Sequence, residues 1–168
     1  MPKTFLISLM LGFLISPAIA GVTLHINSKK KSLARPISEV LGVRLSMSQK
    51  DAHARLKKRG SLEKEARKRQ EVWAVNDRRV SHVIVGFDPD HKVRYITAIA
   101  RTGGPQISYS EIGDIGTAQQ VNNQGNYKFT WNVPAQRQHP TYLVVAHGRD
   151  PVNLESYSIK RLDAEEVD

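Results

Sequence analysis

The stretch EVWAVNDRRVSHVIVGFDPDHKVRYITAIAR, residues 71–101, decides the fold. Its Val, Ile and aromatic residues are types enriched in β-strands, and they fall into three runs, Glu71–Val75, Val80–Phe87 and Lys92–Arg101. The sequence Asp88-Pro89-Asp90-His91 between the last two runs is typical of a tight turn. The stretch therefore predicts an antiparallel meander whose last two strands form a hairpin.

A helix is predicted upstream of this meander. Ser48 is a good N-cap, and Asp51, three residues later, suits the first turn of a helix. Gly60 is expected to end the helix by adopting the left-handed C-cap conformation. The predicted buried stripe consists of Met47, Ala52 and Leu56.

Two neighbouring segments are less regular. A short strand is expected within Ile37–Leu45. Six of the ten residues 61–70 are charged and only Leu62 and Ala66 are apolar, which predicts either a second, solvent-facing helix or an ordered loop.

The second half of the chain repeats this order of elements. Tyr109–Gln120 predicts a short helix with Ile112, Ile115 and either Ala118 or Gln119 directed inward, weakened by two glycines. Three strands are predicted to follow, at Tyr127–Val133, Thr141–His147 and Ser156–Leu162.

One sequence echo favours an internal repeat. Asp88-Pro89 and Tyr95 recur as Asp150-Pro151 and Tyr157, at an offset of 62 residues for all three positions. A chance match of three positions is the alternative. If the repeat is real, Tyr95 and Tyr157 are expected to be paired core residues.

These patterns predict an α+β protein, with short helices packed on an antiparallel meander sheet in two tandem similar halves. The predicted organisation is a signal peptide at 1–20, a flexible basic arm at 21–36, a first half at 37–102, a second half at 103–163 and an acidic tail at 164–168.

The first twenty residues have the layout of a secretory signal peptide. Lys3 gives a positive start, an apolar run of about ten residues follows, and Ala18-Ile19-Ala20 is a small-x-small cleavage site. The run is shorter than the roughly 20 residues that cross a bilayer, so cleavage after Ala20 is expected rather than retention as a transmembrane anchor. The predicted location is the periplasm or the outside of the cell.

Composition narrows the classes of partner. The chain has no cysteine, which excludes a disulfide scaffold, a lipid-modified cysteine and a cysteine nucleophile. It has 25 Lys and Arg against 16 Asp and Glu, a net charge of +9. Such an excess favours anionic partners, although it also fits a role in solubility alone. Export argues against nucleic acid, which leaves an acidic protein, an anionic lipid or a wall polymer.

The phrase VLGVRLSMSQKDAHARLKKRG, residues 40–60, resembles the segment that opens the helix in the β-lactamase inhibitor protein and in the envelope proteins of the BamE (SmpA/OmlA) type. Ser46 stands where that group usually has glycine. The resemblance implies a domain that presents a concave sheet face or loops to a protein partner, without chemistry of its own. The absent cysteine departs from the lipoproteins of the group, and no contact residue of the inhibitor can be carried over to this chain.

No pattern of catalytic or metal-binding residues stands out, so no enzyme, cofactor or metal site is predicted. The six histidines lack zinc-ligand spacing, and His82 and His147 are expected to be hydrogen-bonded structural imidazoles in strands. No Gly-x-Ser-x-Gly elbow occurs, and the carboxylate pairs Glu63/Glu65 and Glu165/Glu166 lie among charged residues. A hydrolase with an unrecognised site would need a pocket that joins a histidine to a carboxylate.

The strongest local signal is the basic segment 55–69, with eight Lys or Arg against two Glu. It predicts either a solvated charged face or a surface for anions such as phospholipid, lipopolysaccharide or wall polymer. Trp73 and Trp131 lie in strand-like runs and are expected in the core, with Trp73 also retained as a contact candidate. The candidate anion or partner contacts are Arg55, Lys58, Arg59, Arg67, Arg69 and Trp73. The favoured function is an exported, non-catalytic binding or assembly protein that acts through a protein partner.

Overall fold

The computed structural model describes residues 35–66, 69–136 and 139–162. The predicted signal peptide, the basic arm up to residue 34 and the acidic tail lie outside the described residues. In chain order the elements are β1 Glu39–Val40, β2 Val43–Arg44, α1 Gln49–Leu56, β3 Gly60–Ala66, β4 Gln70–Val75, β5 Val80–Phe87, β6 Val93–Ala100, α2 Tyr109–Ile112, a 3-10 turn Ile115–Thr117, β7 Gln119–Asn123, β8 Asn126–Val133, β9 Tyr142–Gly148 and β10 Ser156–Arg161.

An eight-stranded sheet dominates the described part of the molecule. Its spatial order is β3-β4-β5-β6-β10-β9-β8-β7, and every neighbouring pair is antiparallel. Strand accounts for 52% of the structure and helix for 12%. The predicted antiparallel meander sheet is therefore confirmed, whereas the helices are too short and too few for the fold to be described plainly as α+β with packed helices.

The hairpin predicted at the centre of residues 71–101 is present as β5 and β6. The carboxylate of Asp88 accepts hydrogen bonds from the backbone N–H groups of Asp90 at 3.0 Å and Lys92 at 2.9 Å, which fixes the turn. This is the bonding for which an Asp-Pro turn sequence is suited.

The predicted cap of α1 is also confirmed. The hydroxyl of Ser48 accepts from the Asp51 N–H at 3.1 Å and donates to the Asp51 carboxylate at 2.7 Å. The prediction for Gly60 is wrong, because the helix ends at Leu56 and Gly60 already belongs to β3. A Cβ at Gly60 would overlap the carbonyl oxygen of Ala74, so glycine is needed there for close strand approach.

The described part of residues 61–70 is neither the helix nor the loop that the sequence predicts. Residues 61–66 complete the edge strand β3, and Gln70 begins β4. A β-bulge between Leu62 and Lys64 shifts the register with β4. An edge strand outside the core exposes both of its faces, so its side chains carry no apolar alternation that would reveal a strand.

The helix predicted at Tyr109–Gln120 is much shorter. Only Tyr109–Ile112 is α-helical, and a Cβ at Gly113 would lie 3.0 Å from the Trp131 ring. Ile115, expected to face inward, is 42% exposed in the 3-10 turn. From Gln119 the chain is already the edge strand β7.

One face of the sheet bears the hydrophobic core. Trp73 and Trp131 are buried there, and α1, α2 and the β1–β2 hairpin add their apolar side chains to the same cluster. Tyr157 packs against this core, but Tyr95 lies on the other face, where its ring covers Gly86. The prediction that the two tyrosines are paired core residues is therefore wrong, because Ile96 and Ala98 take the core positions of β6.

Candidate functional site

The first candidate surface is the face of the eight-stranded sheet opposite the core, here called the open face. Directly paired residues on neighbouring strands share a face, so the register identifies which side chains lie together. One cross-strand row runs over the six inner strands and contains no charged residue. It consists of Val72, Ile84, Thr97, Ser158, Val145 and Thr130.

This uncharged row is half-exposed along its whole length. Five strand spacings of about 4.8 Å make it about 24 Å long. None of the described helices lies against it, because their apolar side chains are in the core on the other face. A half-exposed row of β-branched and hydroxyl side chains of this length is suited to contact another macromolecule.

Basic and imidazole side chains flank the uncharged row on the same face. Lys64 continues the row onto β3, and Lys128 and Lys160 lie in the adjacent rows with His82 and His147. Nδ1 of His82 is in hydrogen-bond contact with the Ser81 hydroxyl at 3.1 Å, as expected for a hydrogen-bonded imidazole, and its Nε2 lies 3.3 Å from the Glu63 carboxylate. His147 is exposed, so its predicted structural role is wrong. The positive margin of the open face suits an acidic surface.

Tyr95 gives the open face an aromatic ring. Its hydroxyl donates to Oε1 of Gln70 at 2.6 Å, and the ring lies over Gly86. Burial raises the pKa of Tyr95 above its usual value of 10.0, so the phenol keeps its proton and remains a donor.

The second candidate surface is a groove of about 920 Å³ between the β1–β2 hairpin and α1, here called the basic groove. The hairpin turns at Leu41 and Gly42, which both have positive φ angles, 49° and 84°. A Cβ at Gly42 would lie 3.2 Å from Nη1 of Arg55, so the absence of a side chain leaves room for the guanidinium. The basic side chains lining the groove are Arg44, Arg55, Lys58, Arg59 and Lys92, with His139 beside them.

The groove has a clear excess of positive charge. Asp51 is the carboxylate in its lining, and that group is already hydrogen-bonded to Ser48 at the start of α1. Leu41, Leu45 and Met47 also line the groove, so it combines cationic groups with a small apolar surface. Such a groove can hold an anionic group by hydrogen bonds and charge.

The six candidate contacts do not form one surface. Arg55, Lys58 and Arg59 line the groove. Arg69 lies in the turn after β3, at the far end of the β3–β4 hairpin and about 20 Å from Arg59 by strand rise. Arg67 lies outside the described residues. Trp73 is 1% exposed and belongs to the core, so it cannot contact a partner in this structure.

A buried glutamate joins α1 to the sheet, and sequence reasoning missed it. Glu71 is 3% exposed and accepts from Nε2 of Gln49 at 2.7 Å and from Nε1 of Trp73 at 3.0 Å. Nε2 of His53 lies 2.7 Å from both of its oxygens. Alternate residues of β4 point into the core, so the same alternation that predicts a buried Trp73 also predicts a buried Glu71. This is the sequence feature from which Glu71 could have been found.

The pair His53 and Glu71 is the kind of contact that a hydrolase would need. Its contacts here are nevertheless structural, because the carboxylate is occupied by Gln49 and Trp73, and no hydroxyl group is among its hydrogen-bond contacts in the described residues. In the described part of the chain, His, Asp and Glu form no group of three that could hold a metal ion. Among the described helices, none is long and apolar enough to span a membrane.

No protein-family model matches the chain, and searches of curated proteins and of solved structures find no match either. The resemblance of residues 40–60 to the inhibitor and BamE-type proteins therefore stays a prediction.

Proposed function

We propose that this chain is an exported, non-catalytic binding or assembly protein that acts in the cell envelope or outside it through a protein partner. The observation that carries the proposal is the open face, an eight-stranded sheet whose second face bears a half-exposed, uncharged row. Sheet faces in soluble domains are usually either packed or strongly polar, and this row is neither.

The chemistry of the open face defines the partner. Ile84 and Val145 offer apolar surface at the second position from each end of the row, while Lys128 and Lys160 lie beside it. A protein that presents an apolar ridge bordered by Asp and Glu would bury the row and pair with the lysines at its margin.

A second candidate function is binding of an anionic lipid or polymer at the basic groove. The observation that favours it is that Arg55, Lys58 and Arg59 converge there with Arg44 and Lys92, which belong to other elements. Affinity of this kind falls steeply as salt rises, because the charges on the surface are screened.

One experiment separates the two functions. The purified protein is immobilised and incubated with an envelope extract at low and at high salt, and the captured protein and lipid are identified by mass spectrometry. Two double variants serve as controls for each other. The open-face variant carries Ile84→Glu and Val145→Glu, and the groove variant carries Arg55→Glu and Arg59→Glu.

A stoichiometric protein that survives high salt, is lost by the open-face variant and is kept by the groove variant would support the first proposal. Anionic lipid or polymer alone, lost at high salt and by the groove variant, would overturn it in favour of the second. A protein captured equally by the native chain and the open-face variant would show that the open face is not the site.

We also propose that residues 37–102 and 103–163 are tandem similar halves. Each contributes a short helix and a four-stranded meander, and the two meanders meet at β6 and β10. Trp73 and Trp131 are both buried on the second strand of their meander. In the turn after each third strand, Asp88 and Asp150 accept backbone N–H groups, for Asp150 those of Val152 and Asn153.

A further inference from the structure

The two edges of the sheet differ in how they are protected against pairing with another strand. On β3, Glu63 and Lys64 are charged, and a bulge interrupts the register. These are devices by which proteins block an edge. On β7 the sequence is Gln-Gln-Val-Asn-Asn, all five residues are exposed, and the register with β8 is regular. The β7 edge therefore lacks charge, proline and bulge.

The hydrogen-bonding groups of β7 can be assigned from its hairpin. Asn123 pairs with Asn126 across a two-residue turn, Gln124-Gly125, with φ angles of 50° and 81°. In such a turn the closing pair is hydrogen-bonded, and bonding then alternates along the strand. The backbone groups of Asn123 and Val121 thus point to β8, and those of Gln120 and Asn122 point outward. No described strand lies on that outer side.

The outward edge is complementary to itself. Two copies of β7 can pair antiparallel with Val121 of one copy opposite Val121 of the other. Gln120 of each copy then lies opposite Asn122 of its partner, and the outward N–H and C=O groups of these two residues form hydrogen bonds. The two Val121 side chains, each 50% exposed in the single chain, then meet at a closely spaced pair. Gln119 meets Asn123, and the pairing brings no like charges together. A two-fold interface requires this kind of self-complementary patch.

We propose that the β7 edge is the site at which a second copy of this chain binds, so that two eight-stranded sheets join into one continuous sheet. The interface is small compared with the roughly 1,600 Å² of stable complexes, so the expected Kd is in the range of about 10 to 100 μM. The net charge of +9 repels the two copies, and dimerisation should therefore strengthen as salt rises. Anion binding at the groove would respond to salt in the opposite direction.

The proposal is tested by sedimentation of the purified protein from about 1 μM to about 1 mM. The native chain should approach twice its monomer mass, and Val121→Lys should raise Kd by about tenfold or more because two lysines would face each other. The matched control is Leu62→Lys, since Leu62 is 39% exposed on the opposite edge strand and its substitution should leave the dimer unchanged. A mixture of Val121→Lys and Val121→Glu chains should form a mixed dimer, which an unfolded variant could not do.

A native chain that stays monomeric over the whole range would overturn the proposal. A dimer that Val121→Lys leaves intact, or that Leu62→Lys weakens equally, would place the interface elsewhere. Fluorescence of the two buried tryptophans, Trp73 and Trp131, reports in each case that the variant is folded.

Discussion

At the scale of single residues, two glutamates of the same hairpin show how burial changes the role of an ion pair. Glu71 is 3% exposed and accepts from Gln49 and Trp73 with His53 beside it, whereas Glu63 is exposed and lies 3.3 Å from Nε2 of His82. Removing a buried acceptor leaves its donors without partners, whereas water replaces an exposed one.

We therefore expect Glu71→Leu to lower the free energy of unfolding by about 3 kcal/mol. The matched substitution Glu63→Leu should change it by less than about 0.5 kcal/mol. Urea unfolding followed by tryptophan fluorescence measures both. Equal effects at the two positions would contradict the structural role assigned to Glu71.

The scale of helices and strands is where sequence reasoning succeeded and failed for identifiable reasons. The strands β4 to β6 and β8 to β10 were predictable because inner strands alternate apolar residues toward the core. The edge strands β3 and β7 were missed, since a strand with little of its surface in the core has no reason to alternate. The cap of α1 was readable at Ser48 and Asp51, but the end of the helix was not, because Gly60 serves the sheet.

The candidate site was predictable only where it is local in sequence. Arg55, Lys58 and Arg59 stand close together in the chain, so the basic segment indicated them. Arg44 and Lys92 reach the same groove from β2 and from the turn before β6, which requires the tertiary fold. The uncharged row is invisible in the sequence, because its residues come from six strands and only their register aligns them.

Close strand approach at Gly60 leads to a prediction for the edge strand. A Cβ at Gly60 would overlap the backbone of Ala74 on β4, and this overlap is relieved only if β3 and β4 move apart. A Cβ at Gly86 would instead overlap the half-exposed Tyr95 ring, which can rotate away. Gly60→Ala should therefore cost about 2 kcal/mol or more of unfolding free energy, and Gly86→Ala about 1 kcal/mol. Urea unfolding ranks the two, and the reverse order would show that the β3–β4 pairing tolerates displacement.

At the scale of the whole molecule, two carboxylates with lowered pKa values connect distant elements. Burial raises the pKa of Asp88, but hydrogen bonds from the Lys92 backbone and from Arg161, at the end of β10, outweigh it and hold the pKa below 3.8. The pKa of Glu111 lies below 4.5 mainly because its carboxylate accepts a hydrogen bond from the Ser108 backbone N–H. Burial raises this pKa, but Arg79, 2.8 Å away, lowers it further. The first contact ties the β5–β6 turn to β10, and the second ties α2 to the residue before β5.

These shifts determine how stability depends on acid. A carboxylate whose pKa is lower in the folded chain stabilises it fully above the unfolded value, here 3.8 for Asp88 and 4.5 for Glu111, and loses that contribution as the pH falls through the folded value. We expect the urea midpoint to fall as the pH is lowered from about 5 to about 2.5.

Asp88→Asn keeps an oxygen for the turn but cannot ionise, so it should lower stability at neutral pH by about 1 to 3 kcal/mol and flatten the acid dependence. The control is Asp90→Asn, at an exposed position of the same turn, which should follow the native curve. If Asp88→Asn keeps the native slope below pH 5, the contact between Asp88 and Arg161 does not link the two meanders in solution.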